Sequence, residues 1–126
     1  MATRILVVED NPDNLYVMDR ILRHAGYTVT QAVSGETALR LIADSTFDLI
    51  LMDMQMPGLD GYTTVRAIRN IPTTVNIPII AVTASSMPGD RERTLAAGCN
   101  DYVAKPIDTR MLLEVVAQYL GGASSG

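Results

Sequence analysis

Residues 5–12 read Ile-Leu-Val-Val-Glu-Asp-Asn-Pro. Four consecutive apolar side chains leave no polar face, so the segment reads as a strand buried on both sides. Glu9 and Asp10 end it abruptly in a polar loop. Asn11 then offers a side-chain cap, and Pro12 a preset first helical residue. Leu15, Met18, Ile21, Leu22 and Ala25 follow at helical spacing until Gly26 stops the run.

The same unit recurs along the chain. Thr28 to Ala32 reads as a second strand, and Ser34 as the cap of a helix lined by Ala38, Leu39, Leu41 and Ile42. Phe47 to Met52 is an apolar run ending in Asp53, followed by a loop from Met54 to Gly61 broken by Pro57, Gly58 and Asp60-Gly61. Val65 and Ile68 mark a third helix. Pro78 to Val82 is a fourth strand ending in Thr83, and Pro88 to Ala97 a fourth helix closed by Gly98. Tyr102 to Ala104 is a fifth strand ending in Lys105-Pro106. Leu112, Val115, Val116 and Tyr119 line the last helix, capped by Asp108 and stopped by Gly121.

Five strand–helix units with apolar strands predict an α/β domain, a parallel sheet covered by helices on both faces. Right-handed crossovers leave few topologies, of which the flavodoxin-like order 2-1-3-4-5 is preferred; spacing alone leaves other doubly wound orders open. At 126 residues the chain reads as one domain over 1–120 with a flexible Gly/Ser tail over 121–126.

Composition narrows the function classes. Hydrophobic residues make up 48% and charged residues 19%, which suits a packed globular chain. No run approaches the roughly 20 apolar residues of a membrane span, and no signal peptide is evident, so a cytoplasmic protein is expected. The net charge of −4 argues against a nucleic-acid surface. Setting aside Glu9, Asp10, Asp53 and the sole lysine, Lys105, leaves 11 acids and 9 bases, so part of the acidity is local. Cys99 has no partner for an internal disulfide and reads as a small buried hydrophobe. His24 reads as a surface residue at a helix end, and Met52, Met54 and Met56 as core and loop filler.

Chemistry-bearing residues fall at strand ends. Glu9 and Asp10 follow the first strand, Asp53 the third, Thr83 the fourth and Lys105 the fifth. In an open parallel sheet the ligand crevice lies outside the carboxyl ends of the strands, where strand order reverses. In the order 2-1-3-4-5 that is between strands one and three, which carry all three carboxylates. Three carboxylates without histidine or cysteine make a hard oxygen site for Mg²⁺ or Mn²⁺. An aspartate there can attack phosphorus, with Lys105 and the Thr83 hydroxyl or backbone N–H groups taking charge on the transferring group.

Glu9-Asp10, Leu-Met-Asp53-Met-Gln-Met-Pro-Gly, Val-Thr83-Ala and Tyr102-Val-Ala-Lys105-Pro together resemble the response-regulator receiver family over nearly the whole chain. The strand order above belongs to that family and is not independent of the resemblance. The resemblance implies phosphorylation of Asp53 by a histidine kinase or histidine phosphotransfer protein. It implies Mg²⁺ held by Asp10, Asp53 and the main-chain carbonyl of Gln55, with Glu9 acting through water. It further implies that Lys105 contacts the phosphoryl group ahead of a cis peptide at Pro106. Thr83 and Tyr102 would pass the signal to a downstream protein through the face of helix four, strand five and helix five. Without the resemblance, Tyr102 reads as a core aromatic at a strand edge. Glu9 stands where the family often has aspartate. Gln55 and Ser85 occupy variable positions flanking the attacking water and are expected to set the phosphoryl lifetime.

Other functions meet particular residues that oppose them. An aspartate-nucleophile phosphatase wants a second aspartate two residues after the nucleophile, where this chain has Gln55. A flavin carrier wants a Ser/Thr/Gly-rich phosphate loop after the first strand, where this chain has Glu-Asp-Asn-Pro-Asp. A receiver used only for binding is disfavoured by a chemically competent residue at every expected position. The Met1 start favours a stand-alone regulator; the Gly/Ser tail keeps open a receiver cut from a hybrid histidine kinase or larger regulator.

Overall fold

A computed structural model describes residues 3–56, 58, 60–84 and 88–120. Pro57, Ser85 and the segment 121–126, each given a role above, lie outside the described residues. The elements run β1 (Arg4–Val8), α1 (Pro12–His24), β2 (Thr28–Ala32), α2 (Gly35–Asp44), β3 (Leu49–Asp53), α3 (Gly61–Arg69), β4 (Ile79–Thr83), α4 (Asp90–Ala97), β5 (Asp101–Ala104) and α5 (Thr109–Tyr119). The five strands are parallel in the order β2-β1-β3-β4-β5. This is the flavodoxin-like architecture.

Side chains alternate between the two sheet faces, so each run of consecutive apolar residues supplies both. Leu6, Val8, Ile50, Met52, Ile79 and Ala81 pack with Ile42 of α2 and Val65 and Ile68 of α3. Ile5, Val7, Leu49, Leu51, Ile80 and Val82 pack with Leu15, Met18 and Leu22 of α1 and Leu112 and Val116 of α5. The core is therefore two apolar layers, one on each side of a fully buried β3.

Side chains hold the helix entrances. Asn11 Oδ1 accepts from the N–H groups of Asp13 (2.9 Å) and Asn14 (3.0 Å), with Pro12 at the first helical position. Ser34 caps α2 through the Thr37 N–H, Asp60 caps α3 through Thr63, and Asp108 caps α5 through Met111. Each such bond satisfies a donor that the helix cannot, a contribution of about 1 kcal/mol.

Two elements start two residues later than the sequence expectation, whereas β1, β4 and β5 start within one residue of it. β3 starts at Leu49 because Asp48 is engaged by Arg4, its N–H bonding to the Arg4 carbonyl and its carboxylate accepting the Arg4 N–H, while Phe47 lies under the Arg4 guanidinium. α4 starts at Asp90 because Gly89 takes φ 90°, a left-handed conformation that glycine adopts without penalty and that cannot begin a helix. A short 3-10 turn over Pro72–Thr74 has no counterpart in the sequence expectation.

Candidate functional site

β1 and β3 are neighbours, and their connections leave the sheet in opposite directions. That divergence opens a crevice at their carboxyl ends. Glu9 follows β1 and is held there by its N–H bonding to the Ala32 carbonyl (2.9 Å), while Asp53 is the last residue of β3. Each of Glu9, Asp10 and Asp53 offers a carboxylate oxygen, all within 4.8 Å of one another. Glu9 is 0% and Asp53 1% exposed, whereas Asp10 reaches solvent.

Each buried carboxylate is half satisfied. Glu9 Oε2 accepts the Asn11 N–H at 3.1 Å, and Asp53 Oδ1 accepts the Gln55 N–H at 3.0 Å. Glu9 Oε1 and Asp53 Oδ2 have no hydrogen-bond partner among the described residues. The Lys105 ammonium stands 3.3 Å from the first and 3.4 Å from the second, ion-pair distances without hydrogen-bond alignment. Burial pushes the Glu9 carboxyl up to about 7; the neighbouring Asp53 carboxylate adds to the rise, and the Asn11 N–H and Lys105 oppose it.

Buried oxygens short of partners are rare in folded proteins and mark places where something else binds or reacts. The donor set is all oxygen and mostly anionic, so it fits a hard divalent cation such as Mg²⁺. Thr83, at the end of β4, is buried, and its carbonyl accepts the Lys105 N–H at 2.9 Å. The Lys105–Pro106 peptide is cis. Tyr102 is half-buried on β5, two strands from Asp53.

Three features had no sequence reading. The exposed Gln55 extends its side-chain carbonyl to the Ala84 N–H (3.0 Å), tying the loop after β3 to the one after β4. Gly61 starts α3 so close to the site that a Cβ there would lie 2.5 Å from Met54 Cα and 2.6 Å from the Asp53 carbonyl oxygen. The signal available was Asp60-Gly61, a cap followed by the smallest residue. Third, Arg91 lies over the Tyr102 ring, 5.7 Å from its centroid.

The remaining candidates stay apart from the crevice. His24 is exposed at the end of α1. Cys99 is buried, and burial pushes its thiol up to about 12, which keeps it protonated and unreactive. Met52, Met54 and Met56 are core residues.

The family of response regulator receiver domains matches residues 5–117. Response regulator PleD of Caulobacter vibrioides is 42% identical over 112 residues, covering 89% of this chain but 25% of PleD. The polar-differentiation response regulator DivK of Brucella ovis is 37% identical over 123 residues, 98% of this chain and 100% of DivK. The receiver domain of sensor histidine kinase PA1611 from Pseudomonas aeruginosa, solved with magnesium in its active-site cleft, superposes with TM-score 0.89 at 43% identity, covering 96% of this chain and 99% of that one. Among the described residues no helix is long and apolar enough to cross a membrane.

Proposed function

The chain belongs to the response regulator receiver family of two-component signalling, and from that premise we propose that Asp53 is its phosphoacceptor. The observation that carries this reading is Asp53 Oδ2, buried without a hydrogen-bond partner among the described residues and faced by the Lys105 ammonium at 3.4 Å. Oδ1 is held by the Gln55 N–H, so the carboxylate is oriented with one oxygen free to attack. That oxygen forms the new bond to phosphorus as the bond to the donor histidine nitrogen breaks, the electron pair returning to the imidazole. Lys105 stabilises charge on the transferring group, and the Thr83 hydroxyl receives one of its oxygens.

Glu9, Asp10, Asp53 and the Gln55 main-chain carbonyl would hold Mg²⁺, or Mn²⁺ in its place. The bound cation would offset the mutual repulsion of the carboxylates and take negative charge from the phosphoryl oxygens. The donor is a histidine kinase or histidine phosphotransfer protein. The output is partner binding through α4, β5 and α5, biased by Thr83 and Tyr102, in the cytoplasm. Gln55, beside the crevice, and Ser85 set the phosphoryl lifetime. The relatives include a stand-alone regulator and receivers within longer proteins, and the reading concerns the receiver in either setting.

Acetyl phosphate with Mg²⁺ should add one phosphoryl group by intact mass. The gain should vanish without Mg²⁺ and in Asp53→Asn. A phosphoryl group that persists in Asp53→Asn would sink the assignment.

A further inference from the structure

Past its last residue, Asp53, β3 stays tied to β4. The Met54 N–H bonds to the Val82 carbonyl at 3.0 Å, which carries the parallel ladder one residue beyond the Asp53–Val82 pair. Further along, the Ala84 N–H goes to the Gln55 side-chain carbonyl at 3.0 Å. A side chain thus takes the place of a backbone acceptor where the two chain segments part.

Gln55 is held from its other side as well. Its main-chain N–H bonds to Asp53 Oδ1 at 3.0 Å. One residue therefore joins the carboxylate at the end of β3 to the first peptide after β4. Its main-chain carbonyl is also the one member of the Mg²⁺ ligand set named above that no substitution can remove. The position of that carbonyl is fixed by the bonds the rest of the residue makes. Gln55 and Ala84 are both exposed, so burial contributes little to holding them together.

We propose that the Gln55 side chain is a positioning residue for the metal site: its bond to the Ala84 N–H fixes the residue whose carbonyl would join Glu9, Asp10 and Asp53 around Mg²⁺. The inference deepens the Mg²⁺-dependent phosphoacceptor reading and rests on it. Glutamine suits the task because its amide is a neutral acceptor, whereas a carboxylate would add charge and an aliphatic side chain would accept nothing. Without the bond the loop after β3 takes more conformations, and Mg²⁺ binding has to select among them. Affinity then falls although every charge of the site is still in place.

Gln55→Met keeps the length of the side chain and removes the amide. We expect calorimetric titration with Mg²⁺ to give a dissociation constant about two- to fivefold higher than in the wild type, the scale of one exposed hydrogen bond. Coupling is reciprocal, so a bond that strengthens Mg²⁺ binding is itself strengthened by Mg²⁺. Exchange of the Ala84 amide proton, followed by NMR, should therefore slow on adding Mg²⁺ to the wild type and stay unchanged in Gln55→Met. Equal Mg²⁺ affinity in the two proteins overturns the positioning role and leaves the phosphoacceptor reading standing. An Ala84 amide that responds to Mg²⁺ alike in both overturns it too, since the metal would then act on the loop without Gln55. A wild type that binds no Mg²⁺ overturns the metal reading with it.

Discussion

The two ends of the sheet treat buried charge in opposite ways. At the carboxyl ends of the strands, Glu9 and Asp53 each leave an oxygen without a hydrogen-bond partner among the described residues. At the amino ends, the half-buried Arg69 guanidinium at the close of α3 is surrounded by acceptors. It donates to the carbonyls of Gly98 (2.9 Å), Thr74 (3.2 Å), Val75 (3.3 Å) and Ile77 (2.6 Å) and to the Asn100 side chain (2.8 Å). Asn100 in turn accepts the Ile79 N–H at the start of β4. A charge tied to acceptors on several segments locks those segments together. A charge left partly unfilled costs stability and stays available for chemistry.

Removing Arg69 is the most damaging test of the contrast. We expect Arg69→Ala to cost about 3–4 kcal/mol in urea unfolding, because several carbonyls lose their donor at once. Mg²⁺ affinity of the folded variant should stay unchanged, since the crevice lies at the other end of the sheet. Arg69→Lys should recover little, as an ammonium cannot reproduce the planar fork. A cost below 1 kcal/mol would show that the filled network is not structural.

Glu9 should behave in the reverse sense. Its folded pKa, about 7, lies above the ordinary value of 4.5, so the folded state holds this proton more tightly than the unfolded state does. The metal-free protein therefore carries no Glu9 penalty below pH 4.5, gains one as pH rises through the window to 7, and keeps it above. We expect Glu9→Gln to be more stable than wild type above pH 7 by about 3 kcal/mol, the difference closing below pH 4.5. Stabilisation by Mg²⁺ should likewise grow with pH across that window, because binding must release the proton. A wild-type-to-variant difference independent of pH would refute the assignment.

Gly61 gives a smaller effect that sharpens the picture. The close approach of α3 to Met54 and to the Asp53 carbonyl leaves no room for a methyl group. We expect Gly61→Ala to cost about 2 kcal/mol and to weaken Mg²⁺ binding, by moving the strand end that carries Asp53. An unchanged Mg²⁺ titration would show that the helix yields instead of the site.

Much of this was legible in the linear chain. Ile5–Val8, Phe47–Met52 and Pro78–Val82 announce buried parallel strands because unbroken apolar runs have nowhere else to go. Asn11, Ser34 and Asp108 announce helix starts because their side chains accept from orphan donors two or three residues on. The placement of Glu9, Asp53, Thr83 and Lys105 at strand ends follows from the same reading, since a polar residue after an apolar run marks where the sheet ends.

Other features were illegible for a physical reason: they depend on distances between residues far apart in sequence. Nothing local marks Arg69 as the partner of Gly98 and Asn100, Gly61 as a contact of Asp53, or Arg91 as a cover for Tyr102. The start of α4 is not legible locally, because Pro88 is a plausible first helical residue and only the φ of Gly89 excludes it.

The sequence by itself determined the strand–helix rhythm, the residues at the strand ends and the chemistry they could perform, because these rest on side-chain type and periodicity. Only the tertiary structure decided which buried charges are filled and which are not. Satisfaction of a buried group depends on where every neighbouring donor and acceptor lands, and that is set when the whole chain packs.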